Sequence, residues 1–251
     1  MNNLFIIGAQ RSGSTLLAKL LELHPKIKLI SPVTPEPKYF LKDQYKGKQL
    51  YLDNFIPLNH TYDYLLEKSV SYIEHVDALK RINIDFPEAK ILIILREPIN
   101  RCWSNYKYSL ENKVESRNFM DSINYNNKKD LNNNFSVNPF AYIERGFYEV
   151  YLAKAYANFP KENIKIIIFD EFIDSSVHLN AIFTWLGLQH IDLADDIFSA
   201  KINASHSSDI SSEIINYLSP IYRESIIRLE NMLEKKIYVW RDIWKERGMD
   251  I

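Results

Sequence analysis

The sequence predicts an α/β fold, a three-layer sandwich around a central parallel sheet. Three observations predict it. Short, largely apolar runs recur at residues 4–7 (LFII), 90–95 (KILIIL) and 164–169 (IKIIIF). Segments with helical periodicity lie between them. The first run also feeds a glycine turn that opens a helix. Strands without polar alternation are buried on both faces, as in a parallel sheet covered by helices on each side.

The elements follow in order. Residues 4–7 form the first strand. Residues 14–23 form a helix, because Leu16, Leu17, Leu20, Leu21 and Leu23 recur at helical spacing, and His24-Pro25 ends it. Residues 90–95 form the second clear strand. Arg96-Glu97-Pro98 follows, and a proline suits the first turn of a helix running to about residue 110. Residues 142–159 read as one long amphipathic helix that leads into the third strand at 164–169. A helix over 179–186 stops at Gly187. A last helical stretch covers roughly 211–235, with Pro220 as a candidate kink. Residues 124–139 (NYNNKKDLNNNFSVNP) are rich in asparagine and read either as a solvated loop or as a substrate-facing lid.

A chain of 251 residues fits one domain, 1–251. A formal net charge of −1 offers no bulk attraction for nucleic acid, so no nucleic-acid partner is expected. The single cysteine, Cys102, excludes an internal disulfide and a cysteine-rich zinc site, and reads as a small packed side chain. The six histidines, His24, His60, His75, His178, His190 and His206, show no metal-binding spacing, so no metal is expected. No apolar run is long enough to span a bilayer, and the N-terminus lacks a signal-peptide pattern. The expectation is a cytoplasmic protein.

The chemistry begins at Gly8-Ala9-Gln10-Arg11-Ser12-Gly13-Ser14-Thr15, which has the frame of a phosphate-binding P-loop, G-x-x-x-x-G-K-[ST], with Ser14 in the lysine position. A strand turning into a helix N-terminus aims backbone N–H groups at one spot, and the helix dipole favours an anion there. Gly13 permits close approach, Ser14 and Thr15 add hydroxyls, and Arg11 can supply the missing charge. A kinase would want the loop lysine and an acid for Mg²⁺. Here KILIIL is followed by Arg96, so both departures point away from ATP and metal.

Taken with its neighbours, GAQRSGSTLLAKLLELHP resembles the 5′-phosphosulfate loop of the sulfotransferases, most like the branch with the tyrosylprotein and heparan sulfate enzymes and their bacterial relatives. Tyrosylprotein members read R-S-G-T-T where this chain has Arg11-Ser12-Gly13-Ser14-Thr15, and other members carry lysine in place of Arg11. LREPINRCWSNY resembles the 3′-phosphate motif, an arginine and a serine eight residues on, here Arg96 and Ser104. PEPKYF resembles the segment bearing the catalytic glutamate, which falls on Glu36. Pro35 replaces a common lysine, and Lys38 a common histidine or lysine. LEKSVSYI resembles E-K-[ST]-P-x-Y and places a sulfate-contacting cation at Lys68, with Val70 in place of the usual proline.

The resemblance spans nearly the whole chain. It implies the P-loop-type sulfotransferase fold, with 3′-phosphoadenosine 5′-phosphosulfate as donor and adenosine 3′,5′-bisphosphate as product. Gln10, Arg11, Ser12, Gly13, Ser14, Thr15, Arg96 and Ser104 would bind the donor, and Glu36, Arg11 and Lys68 would act in catalysis. Arg145, Tyr148, Lys201, Asn203 and Ser205 are further candidates near donor or acceptor. Arg101 is expected in solvent. The K-G-x-x-G-x-W-K-type loop of cytosolic small-molecule enzymes is absent, which favours a carbohydrate or protein-tyrosine acceptor. A saccharide, a lipid-linked sugar, a peptide tyrosine and a small alcohol all stay open, as does the oligomeric state. Two other readings stand beside this one: a nucleotide or small-molecule kinase on the same fold, and a non-catalytic homologue that keeps only the nucleotide site.

Overall fold

A computed structural model of the chain describes residues 2–41, 43–56, 61–124, 137–173, 176–192 and 210–251. Among these, five strands form one parallel sheet: β1 (Asn2–Gly8), β2 (Ile27–Leu29), β3 (Tyr64–Lys68), β4 (Lys90–Leu95) and β5 (Ile164–Ile168), in the order β2-β3-β1-β4-β5. The helices are α1 (Ser14–Leu21), α2 (Lys48–Phe55), α3 (Val76–Asp85), α4 (Pro98–Glu111), α5 (Phe119–Asn124), α6 (Tyr148–Tyr156), α7 (Phe169–Phe172), α8 (Ser176–Trp185), α9 (Ser212–Leu233) and α10 (Tyr238–Glu246). No helix among the described residues is long and apolar enough to cross a membrane.

The chain divides into two compact units, residues 1–95 with 153–200, and residues 96–152 with 201–251. The first contains the whole sheet. Leu4, Ile6, Leu66, Leu92 and Ile94 point to one face, where they pack on Leu17, Leu20 and Leu21 of α1 and on Leu179, Ile182 and Phe183 of α8. Phe5 points to the other face and meets Phe40 and Phe86 at 5.8 and 6.0 Å between ring centres, with Tyr51 of α2 tilted against Phe40 at 5.0 Å. Burial of both faces is the reason the strands read as continuous apolar runs. The strand order changes direction at β1, which has β3 on one side and β4 on the other, and ligands in open parallel sheets bind beyond the carboxyl ends at such a point.

The second unit is helical. Glu97 caps α4 by accepting from the N–H groups of Ile99 and Asn100 at 3.1 and 2.8 Å. The same carboxylate accepts from Trp244 Nε1 at 2.9 Å and from Arg247 at 3.2 Å, which ties α4 to α10. The helix expected over 142–159 is shorter. A 3-10 turn at Glu144–Gly146 precedes α6, and there Gly146 lets the Tyr222 ring approach to where a Cβ would lie 2.5 Å away, while Tyr222 donates to the Ile143 carbonyl at 3.0 Å. Pro220 lies inside α9 without ending it.

Candidate active site

The glycine loop joins β1 to α1. Its start is fixed by the Ala9 N–H, which donates to the Ile94 carbonyl of β4 at 2.8 Å. Arg11 and Gly13 both adopt the left-handed region, with φ of 64° and 86°. At Gly13 a side chain is excluded twice over, since a Cβ there would lie 2.3 Å from two ring carbons of Phe169. Helix α1 has no side-chain cap and no acidic residue in its first turn. Its first N–H groups have no carbonyl within the helix to bond, so the positive end of the dipole is left for an anion. Arg11 is exposed, Gln10 and Thr15 are half-buried, and Ser14 is buried. Gln10 donates from Nε2 to Glu74 at 3.2 Å. Ser12 is fully buried, and its hydroxyl makes no hydrogen bond among the described residues.

The loop has a charged neighbour on β3. Lys68 is paired with Ile6 of β1, two residues before Gly8, and so lies beside the start of the loop. Its ammonium is 2.5 Å from Glu36 Oε1, and it also donates to the Val33 carbonyl at 3.0 Å. The other oxygen of Glu36 accepts from the Val70 N–H at 3.2 Å. The pair is largely desolvated, with side-chain exposures of 4% for Lys68 and 12% for Glu36. Two residues 32 apart in sequence, each assigned a role from its own motif, therefore meet as an ion pair at the carboxyl end of β3. Lys38 sits in the left-handed region at φ 51°, and its N–H donates to Ser69 Oγ at 3.0 Å.

In the second unit, Arg96 and Ser104 are buried, with 8% and 5% exposure. The Tyr148 hydroxyl donates to the Arg96 carbonyl at 2.7 Å, which fixes the backbone that carries the arginine. Arg145 is buried and donates to the Asn138 carbonyl at 2.6 Å. Arg101, expected in solvent, is fully buried. It donates to the Tyr142 carbonyl and, at 3.4 Å, to Asn105 Oδ1, acceptors that compensate for the loss of water. Cys102 is fully buried, and burial pushes its thiol up to about 11, which suits a packed side chain. Lys201, Asn203, Ser205, His60 and His206 lie outside the described residues, as do residues 125–136 of the asparagine-rich segment.

Comparison with known proteins adds the decisive finding. The profile of the sulfotransferase family matches residues 28–192. The chain belongs to the sulfotransferase family. It is similar to the bifunctional heparan sulfate N-deacetylase/N-sulfotransferase 1 of Caenorhabditis elegans, 30% identical over 219 residues, which cover 85% of this chain and 25% of that protein. It is also similar to the mouse heparan sulfate glucosamine 3-O-sulfotransferase 3B1, 24% identical over 189 residues, or 74% of this chain and 46% of the relative. The chain thus spans less than half the length of these curated relatives. Among solved structures, a sulfotransferase from Alicyclobacillus acidocaldarius superposes with a TM-score of 0.77 at 21% identity, covering 96% of this chain and 99% of that one. That likeness is one of fold.

Within this sulfotransferase-family chain, one group of the LEKSVSYI stretch, Glu67, has no role in the motif reading. Glu67 is fully buried beside Lys68, and Oε1 accepts from Ser69 Oγ at 2.9 Å and from the Tyr72 hydroxyl at 2.6 Å. Burial pushes its carboxyl up to about 7, and the hydrogen bonds from Tyr72 and Ser69 work in the opposite direction. The signal available in sequence is the glutamate directly before Lys68 in that stretch, since a carboxylate that folding buries persists only with dedicated partners.

Proposed function

We propose that this chain moves a sulfuryl group from 3′-phosphoadenosine 5′-phosphosulfate to a hydroxyl or amine, with a saccharide as acceptor. The observation that carries the reading is the Glu36–Lys68 pair held beside a phosphate loop whose helix has neither a side-chain cap nor an acidic residue in its first turn. A proton acceptor, a cation and an anion cradle are together what transfer of a sulfuryl group requires, as the bond from the acceptor oxygen to sulfur forms and the bond from sulfur to the 5′-phosphate oxygen breaks. The saccharide is supported by relatives named for heparan sulfate and its glucosamine, one an N- and the other a 3-O-sulfotransferase.

The donor supplies a sulfuryl group activated by its bond to the 5′-phosphate. The residues of the chain then have distinct tasks. The N–H groups of Ser12, Gly13, Ser14 and Thr15, with the hydroxyls of Ser14 and Thr15, hold the 5′-phosphate at the α1 N-terminus. Gln10, fastened to Glu74, keeps the loop in shape. Arg11 acts as an electrostatic clamp, because a guanidinium stays ionised and presents a planar fork. Arg96 and Ser104 hold the 3′-phosphate. Glu36 takes the proton from the acceptor. Once neutralised, Glu36 no longer needs the charge of Lys68, and that cation is left beside the loop to stabilise negative charge developing on the leaving oxygen.

The test is calorimetric titration with adenosine 3′,5′-bisphosphate against ATP–Mg²⁺, followed by transfer from labelled donor to a panel of saccharides, peptide tyrosines and small alcohols. Preferential bisphosphate binding, lost in Arg96→Ala, and transfer to a saccharide are expected. Tighter binding of ATP–Mg²⁺ would overturn the donor assignment, and binding without transfer to any acceptor would overturn the enzymatic one.

A further inference from the structure

We infer that Glu67 is a positioning residue for sulfuryl transfer, fixing the segment that carries Glu36 through two hydroxyl groups, Ser69 and Tyr72. The inference rests on the reading of Glu36 as the proton acceptor. The geometry is a two-armed anchor. Ser69 Oγ donates to Glu67 Oε1 at 2.9 Å and accepts from the Lys38 N–H at 3.0 Å. The Tyr72 hydroxyl donates to the same oxygen at 2.6 Å and accepts from the Phe40 N–H at 3.2 Å. Lys38 and Phe40 follow Glu36 by two and four residues. Two backbone N–H groups of the segment are therefore tied to one buried carboxylate.

The chemistry of the groups explains why a carboxylate stands there. A hydroxyl can donate or accept, and either rotor would satisfy it alone. Oε1 accepts both in the carboxylate and in the acid that carries its proton on Oε2, so in either form both hydroxyls turn their hydrogens toward Glu67 and their lone pairs toward the Glu36 segment. Glu67 is paired with Phe5 of β1 on the aromatic face, where an apolar side chain would avoid the desolvation that a buried carboxylate suffers. Tyr51 of α2 also lies within electrostatic reach, although its hydroxyl makes no hydrogen bond of normal geometry among the described residues. Glu67 is fully buried and does not meet the acceptor. Its effect is on where Glu36 stands. From the opposite side, Lys68 and the Val70 N–H hold the carboxylate of Glu36 itself.

The experiment measures the two amides directly, by NMR hydrogen exchange on the full chain, alongside turnover and bisphosphate affinity. Glu67→Leu removes the acceptor. The Lys38 and Phe40 amides should exchange at least about tenfold faster, kcat should fall roughly 10- to 100-fold as for about an ångström of misplacement, and the dissociation constant for adenosine 3′,5′-bisphosphate should stay within about twofold. Glu67→Gln keeps an accepting oxygen and should restore most of the protection and most of kcat. Should Glu67→Leu not fold, the single arms carry the test: Ser69→Ala should expose Lys38 alone and Tyr72→Phe should expose Phe40 alone. Unchanged exchange at both amides in these variants overturns the anchor, and an equal loss of bisphosphate affinity and kcat overturns the positioning role. Faster exchange in a chain that transfers no sulfuryl group would uphold the anchor and overturn the activity it is proposed to serve.

Discussion

Replacing Lys68 by methionine removes one charge of the pair while keeping most of the apolar stem. At 2.5 Å and an effective dielectric constant of about 20, the Coulomb attraction is roughly 7 kcal/mol, and the desolvation of both groups offsets much of it. Losing one partner of a buried pair typically costs about 3–5 kcal/mol. Glu36 retains 12% exposure and the Val70 N–H, so the expected loss lies at the low end, about 3 kcal/mol. Glu36→Gln should cost about 2 kcal/mol, because Lys68 keeps the Val33 carbonyl. The double variant should lose less than the sum of the two, with a coupling of about 2 kcal/mol. Urea unfolding of all four proteins measures this. Single variants within about 0.5 kcal/mol of wild type, or strictly additive losses, would refute a buried pair and with it the argument that Lys68 holds Glu36 in place.

Three further outcomes follow from the geometry. Gly13→Ala should destabilise by about 2–4 kcal/mol, from left-handed strain and collision with Phe169, and should weaken bisphosphate binding; thermal melting and calorimetry check both, and a neutral variant would contradict the packing. Because burial raises Glu67 from 4.5 to about 7, the folded chain holds this proton more tightly than the unfolded one. Its contribution to stability should be greatest below about pH 4.5 and decline by up to ~3 kcal/mol as pH rises to about 7. Glu115 and Glu230, both lowered by their arginine and backbone partners, slope the other way, so the measurement is the difference between wild type and Glu67→Gln across that window. The Cys102 thiol, pushed up to about 11, should resist a disulfide reagent at pH 8 in the native chain and react on unfolding; rapid native labelling would show that α4 opens.

The parts of this molecule that were legible in sequence are those encoded contiguously. β1, β4 and β5 announce themselves as apolar runs, and the loop with its helix is one unbroken stretch. β2 is only three residues long. β3 was recognised as a motif but not as a strand, because Glu67 and Lys68 disguise a segment in which every residue is buried. Lys68 is held by Glu36 and Val33, which lie more than 30 residues away, and the role of the nearby Ser69 and Tyr72 appears only once the chain turns back on Glu67. The burial of Arg101 is not legible in its local sequence, since the Tyr142 carbonyl that receives it lies 41 residues away. Leu23 suited the helical pattern of α1, yet the helix ends at Leu21 and Leu23 is 48% exposed, because the chain turns toward β2. Motif spacing named Glu36 and Lys68 separately. Only folding pairs them.

Glu67 and Lys68 are consecutive, so the pleat sends them to opposite faces of the sheet, and each grips the same segment from its own side. A shift of β3 by one residue would exchange the two, turning the ammonium toward the aromatic face of Phe5 and Tyr51 and the carboxylate toward Glu36. Each half of that exchange is repulsive or unsatisfied. The strand therefore carries a chemical index of its own alignment, and an insertion or deletion within β3 would erase the alignment and the site in a single event.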